Sequence, residues 1–422
     1  NAVSFYLTNN QFNGNAGTIN INGKNVVLFN LVNSSFTNNL TVNAAPGSTY
    51  VIGNLSNAVY THSGTNTLLS DSVLLNGNNS AMLIDNTSNI SSSSTGVVVM
   101  LLDGRYALPF PAGYSADGEN AGTIVLGNDS AAIYGKNGTR LKNSGSITLG
   151  SNSVGVYNIG ANSETENTGT ITLGNNSTGL YQKDGTNIIN NGTINGTGTG
   201  AVGMYTDSNT GIINNMALID LQGDKSIGIY AMGGTQNLVN SGTIKLGNSA
   251  LMNDPSIGIY TNNTSDTVVN TGNIEVGSRS LGIYSLGTQV DHMSGTIKAG
   301  SEGTGIYKDT GILRIHSGAV VEAGAGEAAG LYGINGAGIT VDNGAIFNIG
   351  YGSYGIIAES GATLLNSAAV TLGDNSIFTY GNNSGGIVNN GAVNITGSDN
   401  TVFYMVKGGS IINNANITGT AG

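Results

Sequence analysis

The 422-residue chain has no cysteine and no tryptophan, and only four prolines and three histidines. Charged residues make up 9% of it, with 13 cations against 24 anions and a net charge of −11. Without cysteine there is no thiol nucleophile, no disulfide framework and no cysteine zinc site. So few cations cannot neutralise many phosphates, which argues against a nucleic-acid partner. Long apolar runs are missing too. The longest, Val97 to Leu102, suits a buried strand and is far too short for a membrane helix. The chain opens on Asn1 with no cationic-then-apolar leader, and so reads as a processed or excised part of a longer protein. Hydrophobic residues nevertheless reach 39%, too many for a charge-rich disordered chain. What the chain has in abundance is glycine, 67 residues, and asparagine, 60 by count.

These residues recur with a fixed period. From Asn143 the chain reads Asn143-Ser-Gly145-Ser-Ile147-Thr-Leu149-Gly150, then Ser153-Val-Gly155-Val156-Tyr157. The pattern returns from Asn167 through Gly169, Ile171 and Leu173 to Tyr181, and from Asn270 through Gly272 and Ile274 to Tyr284. The leading asparagine falls at Asn120, Asn143, Asn167, Asn190, Asn215, Asn240, Asn270, Asn366, Asn389 and Asn413. Met293, His316 and Asp342 are read as its substitutes in three variant units. Each unit holds short stretches of alternating apolar residues separated by Gly, Asn and Asp, the pattern of strands and turns. Nothing shows a helical period. One such unit cannot bury enough surface to fold alone, whereas stacked units can. The expected fold is all-β, a right-handed parallel β-helix with about 24 residues per rung and roughly 18 rungs.

Stacking assigns roles to the repeated residues. Identical side chains one rung apart lie about 4.8 Å from each other, the distance at which amides bond along a stack. The asparagine column is therefore expected to be an internal ladder at a corner. The glycine two residues on suits a corner where a side chain would clash. The tyrosine column, one residue after an inward aliphatic, is placed outside as a stacked stripe. Its simplest role is to staple rungs, and a carbohydrate platform is the other reading.

Residues 1–102 follow the period loosely, with Asn15-Ala-Gly17-Thr-Ile19-Asn-Ile21 as a near-complete unit, and 120–422 follow it closely. Between them, residues 103–119 break it with two prolines, three aromatics and an arginine. Proline cannot serve an interior ladder strand, so this segment must leave the wall or lie over it. Arg105, Tyr106, Phe110, Tyr114 and Asp117 are its candidate binding residues. A joining bulge or cap is the plainer reading. Residues 250–255 lengthen another rung and read as an external loop.

Catalytic patterns are faint. Glycoside hydrolysis needs two carboxyls about 5–10 Å apart, and no acidic column recurs. Glu164 and Glu166 read as a polar edge, Glu322 and Glu327 as turn residues. The histidines, His62, His292 and His316, lack metal-ligand spacing. Lys136, Arg140 and Lys142 form the densest basic cluster and read as a solvated face. No catalytic residue, metal or cofactor is assigned.

The Asn-x-Gly-x-Ile-x-Leu-Gly unit followed by Ser-x-Gly-Ile-Tyr resembles those of type V autotransporter passengers, in particular the very large fusobacterial outer-membrane adhesins of the RadD type. The resemblance covers about Asn120 to Gly419. It implies a bacterial cell-surface stalk, a C-terminal membrane barrel beyond this chain, and adhesion to a protein or glycan on host or bacterial cells. The function expected is thus that of a non-enzymatic adhesin or stalk segment, with possible end-to-end self-stacking through open sheet edges. A glycan-degrading β-helix enzyme, a lyase or glycosidase, is the alternative.

Overall fold

The computed structural model describes residues 2–13, 17–234, 237–262 and 267–419. Asn15 and Ala16, which open the first loose unit, lie outside them. The chain divides into two units, Asn1–Gly211 and Ile212–Gly422, and each is a parallel β-solenoid. A representative rung of the first unit has a six-residue strand, Val154–Ile159, and two four-residue strands, Glu164–Asn167 and Thr170–Leu173. Each strand pairs in parallel with its counterpart one rung on, so that Val156 lies on Leu180 and Ile147 on Ile171. In the second unit Leu281–Leu286, Gln289–His292 and Thr296–Ala299 repeat the arrangement. The described residues contain no helix.

Nine long strands stack in the first unit and eight in the second. The described residues therefore make 17 rungs at about 24 residues each, one fewer than expected. The difference is the unit opened by Asn413, which adds only the short strand Ile417–Gly419.

Alternation sets the interior. The short strands bury every second residue, which stacks Ile124, Ile147, Ile171 and Ile194 in the first unit. Ile219, Ile244, Ile274 and Ile297 form the same column in the second. Each aliphatic is shared with the rungs above and below, so the core is continuous within a unit.

Two corners account for the glycine and asparagine. At one, a Cβ on Gly145, Gly169 or Gly272 would lie about 2 Å from the carbonyl oxygen of the preceding rung's glycine. None of these has a positive φ, so close approach rather than backbone conformation demands glycine there. At the other, after the long strand, the backbone turns through the left-handed region. In the first unit asparagine holds it at Asn9, Asn33, Asn57, Asn79 and Asn137, with φ between 46° and 59°. Asparagine tolerates that conformation better than other residues with a Cβ.

The ladder register differs from expectation in three rungs. His292, not Met293, lies on Asn270. Ile315 then lies on His292, Val341 on Ile315 and Asn366 on Val341, so His316 and Asp342 also fall one residue beyond the column. The cause is local. Gly295, Gly318 and Gly344 adopt φ of 77°, 84° and 88° and stand three residues after the column instead of two. These corners hold one extra residue.

Candidate functional site

The asparagine column is an amide ladder. Asn120, Asn143, Asn167 and Asn190 are fully buried in the first unit, and each of the first three donates from Nδ2 to the next Oδ1 at 2.8 Å. In the second unit Asn215 donates to Asn240 at 2.8 Å and Asn240 to Asn270 at 2.7 Å. Asn270 then meets His292 Nδ1 at 3.1 Å, and Asn366, Asn389 and Asn413 close the run at 2.7 and 2.8 Å. The same column also holds His62, which lies between Asn38 and Ile84. Burial pushes this imidazole down to about 4, with Asn66 Nδ2 2.6 Å from its Nε2. Burial lowers His292 as well. Two of the three histidines are thus neutral members of a structural stack.

Tyrosines line the long strands outside this interior. Tyr134, Tyr157, Tyr181 and Tyr205 stack with ring centroids 4.4–4.8 Å apart. Tyr230, Tyr260, Tyr284, Tyr307 and Tyr332 do so at 4.7–5.4 Å in the second unit. The rings are half-buried by one another. That contact raises the phenol of Tyr181 to about 12, chiefly through desolvation. Each stacked pair adds about 0.5–1.5 kcal/mol beyond area burial, so stapling rungs fully accounts for the stripe.

Chemistry other than stacking gathers at the break in the period. Residues 104–117 join the long strand Val98–Asp103 to the short strand Gly118–Asn120, and the rung containing them takes 33 residues. The segment lies against neighbouring rungs, anchored by Asp117. That carboxylate is fully buried and accepts from Arg140 Nη2 at 2.7 Å, Arg140 Nε at 3.0 Å and the Tyr106 amide at 2.8 Å. Arg140 also donates to the Tyr106 carbonyl at 2.9 Å, and its guanidinium carbon lies 4.2 Å from the Phe110 ring centroid. Phe110 in turn stacks on Tyr106 at 6.1 Å. The two ends of the segment are stapled separately. Arg105 donates to the Gly138 and Asn162 carbonyls and pairs with Glu164 at 2.7 Å. Tyr114 bonds Thr61 at 2.6 Å, and burial raises its phenol to about 12.

Of the five candidate residues, Tyr106, Phe110 and Asp117 meet around Arg140, while Arg105 and Tyr114 tie the segment to other rungs, so that Arg105 and Asp117 are spent on holding the platform. Tyr106, Phe110 and exposed Leu108 remain for contact. Arg140 is not part of a solvated face, since its side chain is 13% exposed beneath the platform. The remaining basic residues of that cluster pair with acids, Lys136 with Asp103 at 3.0 Å and Lys142 with Glu166 at 3.9 Å.

Two grooves flank the platform. One, of about 610 Å³, runs between Tyr106 and Pro111 on one side and Asn9, Asn10, Gln11, Asn33, Ser35 and Asn57 on the other. The second, of about 210 Å³, lies beside Ser115 and is lined by Arg140, Lys142, Glu164 and Glu166. The first involves residues that period-reading passed over, although Asn9, Asn33 and Asn57 are spaced by one rung each.

In the second unit, Lys308 is fully buried in the solenoid interior and donates to Ser285 Oγ at 3.1 Å and to the Thr288 carbonyl. Desolvation pushes its amine down to about 8. Among the described residues, no group of three acidic or imidazole side chains could hold a metal ion.

Comparison with known proteins places this geometry in a family. No curated protein and no solved structure matches the chain. A family model, the BigA third pectate lyase-like domain, matches residues 112–337, from the platform's second half through the regular rungs. That span is just over half of the chain, and the protein belongs to the family of the BigA third pectate lyase-like domain.

Proposed function

We propose that the chain is a non-enzymatic segment of a bacterial surface adhesin, of the autotransporter kind, in which stacked rungs carry the 104–117 platform as the contact element. The observation that carries this reading is the platform's construction. A buried Asp117–Arg140 pair, a cation–π contact and two flanking staples hold Tyr106, Phe110 and Leu108 in place at the surface. An ordered aromatic patch is the type of surface that anchors recognition. Membership in a BigA domain family supports a bacterial surface protein, and the resemblance of the repeat to fusobacterial adhesins supports the autotransporter setting.

The test is adherence. The purified chain should bind to bacterial or host cells, and a Tyr106→Ala/Leu108→Ser double variant should bind less while keeping its β-sheet circular dichroism. Adherence equal to that of the parent would remove the platform's assigned role.

The pectate lyase-like description of the family keeps an enzyme in view as the second reading. Its residues would be Arg140, Lys142, Glu164 and Glu166 in the smaller groove. These charges are held in pairs, with Glu164 on Arg105 and Glu166 near Lys142. Release of unsaturated or reducing ends from polygalacturonate, abolished by Lys142→Ala, would establish that reading in place of the first.

A further inference from the structure

The larger groove beside the platform is built from uncharged groups. On its floor, the left-handed corners of three successive rungs present Asn9, Asn33 and Asn57, about 4.8 Å apart from one to the next. Their backbone amides are tied to the following rung, as Asn9 to the Val32 carbonyl at 3.1 Å and Asn33 to the Ser56 carbonyl at 3.0 Å. Their side-chain amides make no hydrogen bond among the described residues. At the same turn of two other rungs the amide is satisfied internally, Asn137 donating to Asp103 at 2.6 Å and Asn335 to Asp309 at 3.0 Å. Gln11 and Ser35 extend the floor, and the Tyr106 ring with Pro111 forms the opposite wall.

We propose that this groove binds a neutral saccharide. A side-chain amide offers a donor and an acceptor a little over 2 Å apart, which matches a pair of neighbouring sugar hydroxyls. An aromatic ring and a proline wall suit the apolar C–H face of a pyranose. The groove volume of about 610 Å³ lies in the usual range for ligand sites. Charge decides between kinds of sugar. No carboxylate, amine, guanidinium or imidazole lines the groove. A uronic acid would lose water from its carboxylate there without gaining a cation, whereas a neutral hexose loses nothing of that kind. The periodic floor, with one amide per rung, also favours an extended chain of sugars over a single ring.

This inference rests on the adhesin reading and names a ligand class for it, but its test is independent of adherence. The whole chain is titrated by calorimetry with cellohexaose, maltohexaose and β-1,4-galactohexaose, and with oligogalacturonate as the charged comparison. At least one neutral oligosaccharide should bind, with an affinity that does not change between low and moderate salt. Asn33→Gly removes the amide while keeping the left-handed corner, and Tyr106→Ala removes the ring. Each should weaken binding about tenfold, the loss of roughly one hydrogen bond or stacking contact. Unchanged circular dichroism shows that both variants fold. The proposal is overturned if no neutral oligosaccharide binds, if oligogalacturonate binds better, or if both variants bind like the parent. A chain that adheres to cells yet binds none of these sugars would sink this inference and leave the adhesin reading standing.

Discussion

At the scale of single residues, the ladder column couples stability to pH through the two rungs where imidazole replaces amide. His62 is buried and titrates near 4, against 6.5 for a free imidazole. Between those values the unfolded chain binds more protons than the folded one, so stability falls as pH drops from 6.5 towards 4. A shift of this size corresponds to a loss of about 3 kcal/mol. His62→Asn, which restores the residue type of the column, should flatten that part of the profile. The check is urea unfolding of parent and variant at pH 7 and pH 4.5. If both lose the same stability on acidification, His62 is not the titrating group. An amide in mid-ladder has a different signature. Asn167→Ala orphans the Asn143 donor and the Asn190 acceptor together, at about 1–3 kcal/mol, and this cost does not depend on pH.

At the scale of elements, the 104–117 segment is ordered by contacts of very unequal weight. Asp117→Ala would leave Arg140 charged and largely buried without its partner, a loss of about 3–5 kcal/mol. Arg105→Ala breaks a pair in which both side chains are more than a third exposed, and should cost under about 1 kcal/mol. Brief chymotrypsin digestion reads the difference: rapid cleavage after Tyr106 and Tyr114 in Asp117→Ala, and near-parental resistance in Arg105→Ala. Equal resistance in both variants would mean that the segment is held by other contacts. The rungs themselves were legible because a stack makes the same demand at the same place in each repeat, so Ile147 and Ile171 announce each other. The platform was visible only as a gap in that pattern. Its pairing was partly readable, since Asp117 and Arg140 stand one rung apart, as do Arg279 and Glu302. Opposite charges at the period are a usable sign of a cross-rung ion pair. Arg105 and Glu164 are 59 residues apart, and no period links them. The misplacement of Met293, His316 and Asp342 has the same origin. Counting back from glycine fails where glycine takes a left-handed φ and the corner gains a residue.

At the scale of the whole molecule, stacking makes each rung's environment depend on its neighbours. The last rungs of the second unit leave Ile411 and Ile417 more than a third exposed, where their counterparts one rung back, Ile387 and Val393, are buried, and Ile412 beside them is about half exposed. Open strand edges with apolar side chains favour pairing with another chain. In isolation the chain should therefore associate with rising concentration. Salt should strengthen this, because it screens repulsion between copies that each carry −11. Ile412→Lys should weaken it, and sedimentation velocity at several concentrations is the measurement. A parent chain that stays monomeric throughout would dismiss this surface as an interface.

The amide ladder has one more consequence, for how the protein ages. Asparagine is the residue most open to spontaneous deamidation, which begins when the backbone nitrogen of the next residue attacks the side-chain carbonyl. In the ladder that nitrogen is engaged: Ser144 donates to the Asn120 carbonyl, Thr168 to that of Asn143 and Asn191 to that of Asn167, all at 2.7 Å. The exposed pairs Asn335-Gly336 and Asn343-Gly344 have neither burial nor a bulky neighbour to slow them. Peptide mapping after warm storage should find these corners converted while the ladder is still intact. A chain so rich in asparagine thus keeps its chemically fragile residues where their loss matters least, and protects those on which the stack depends.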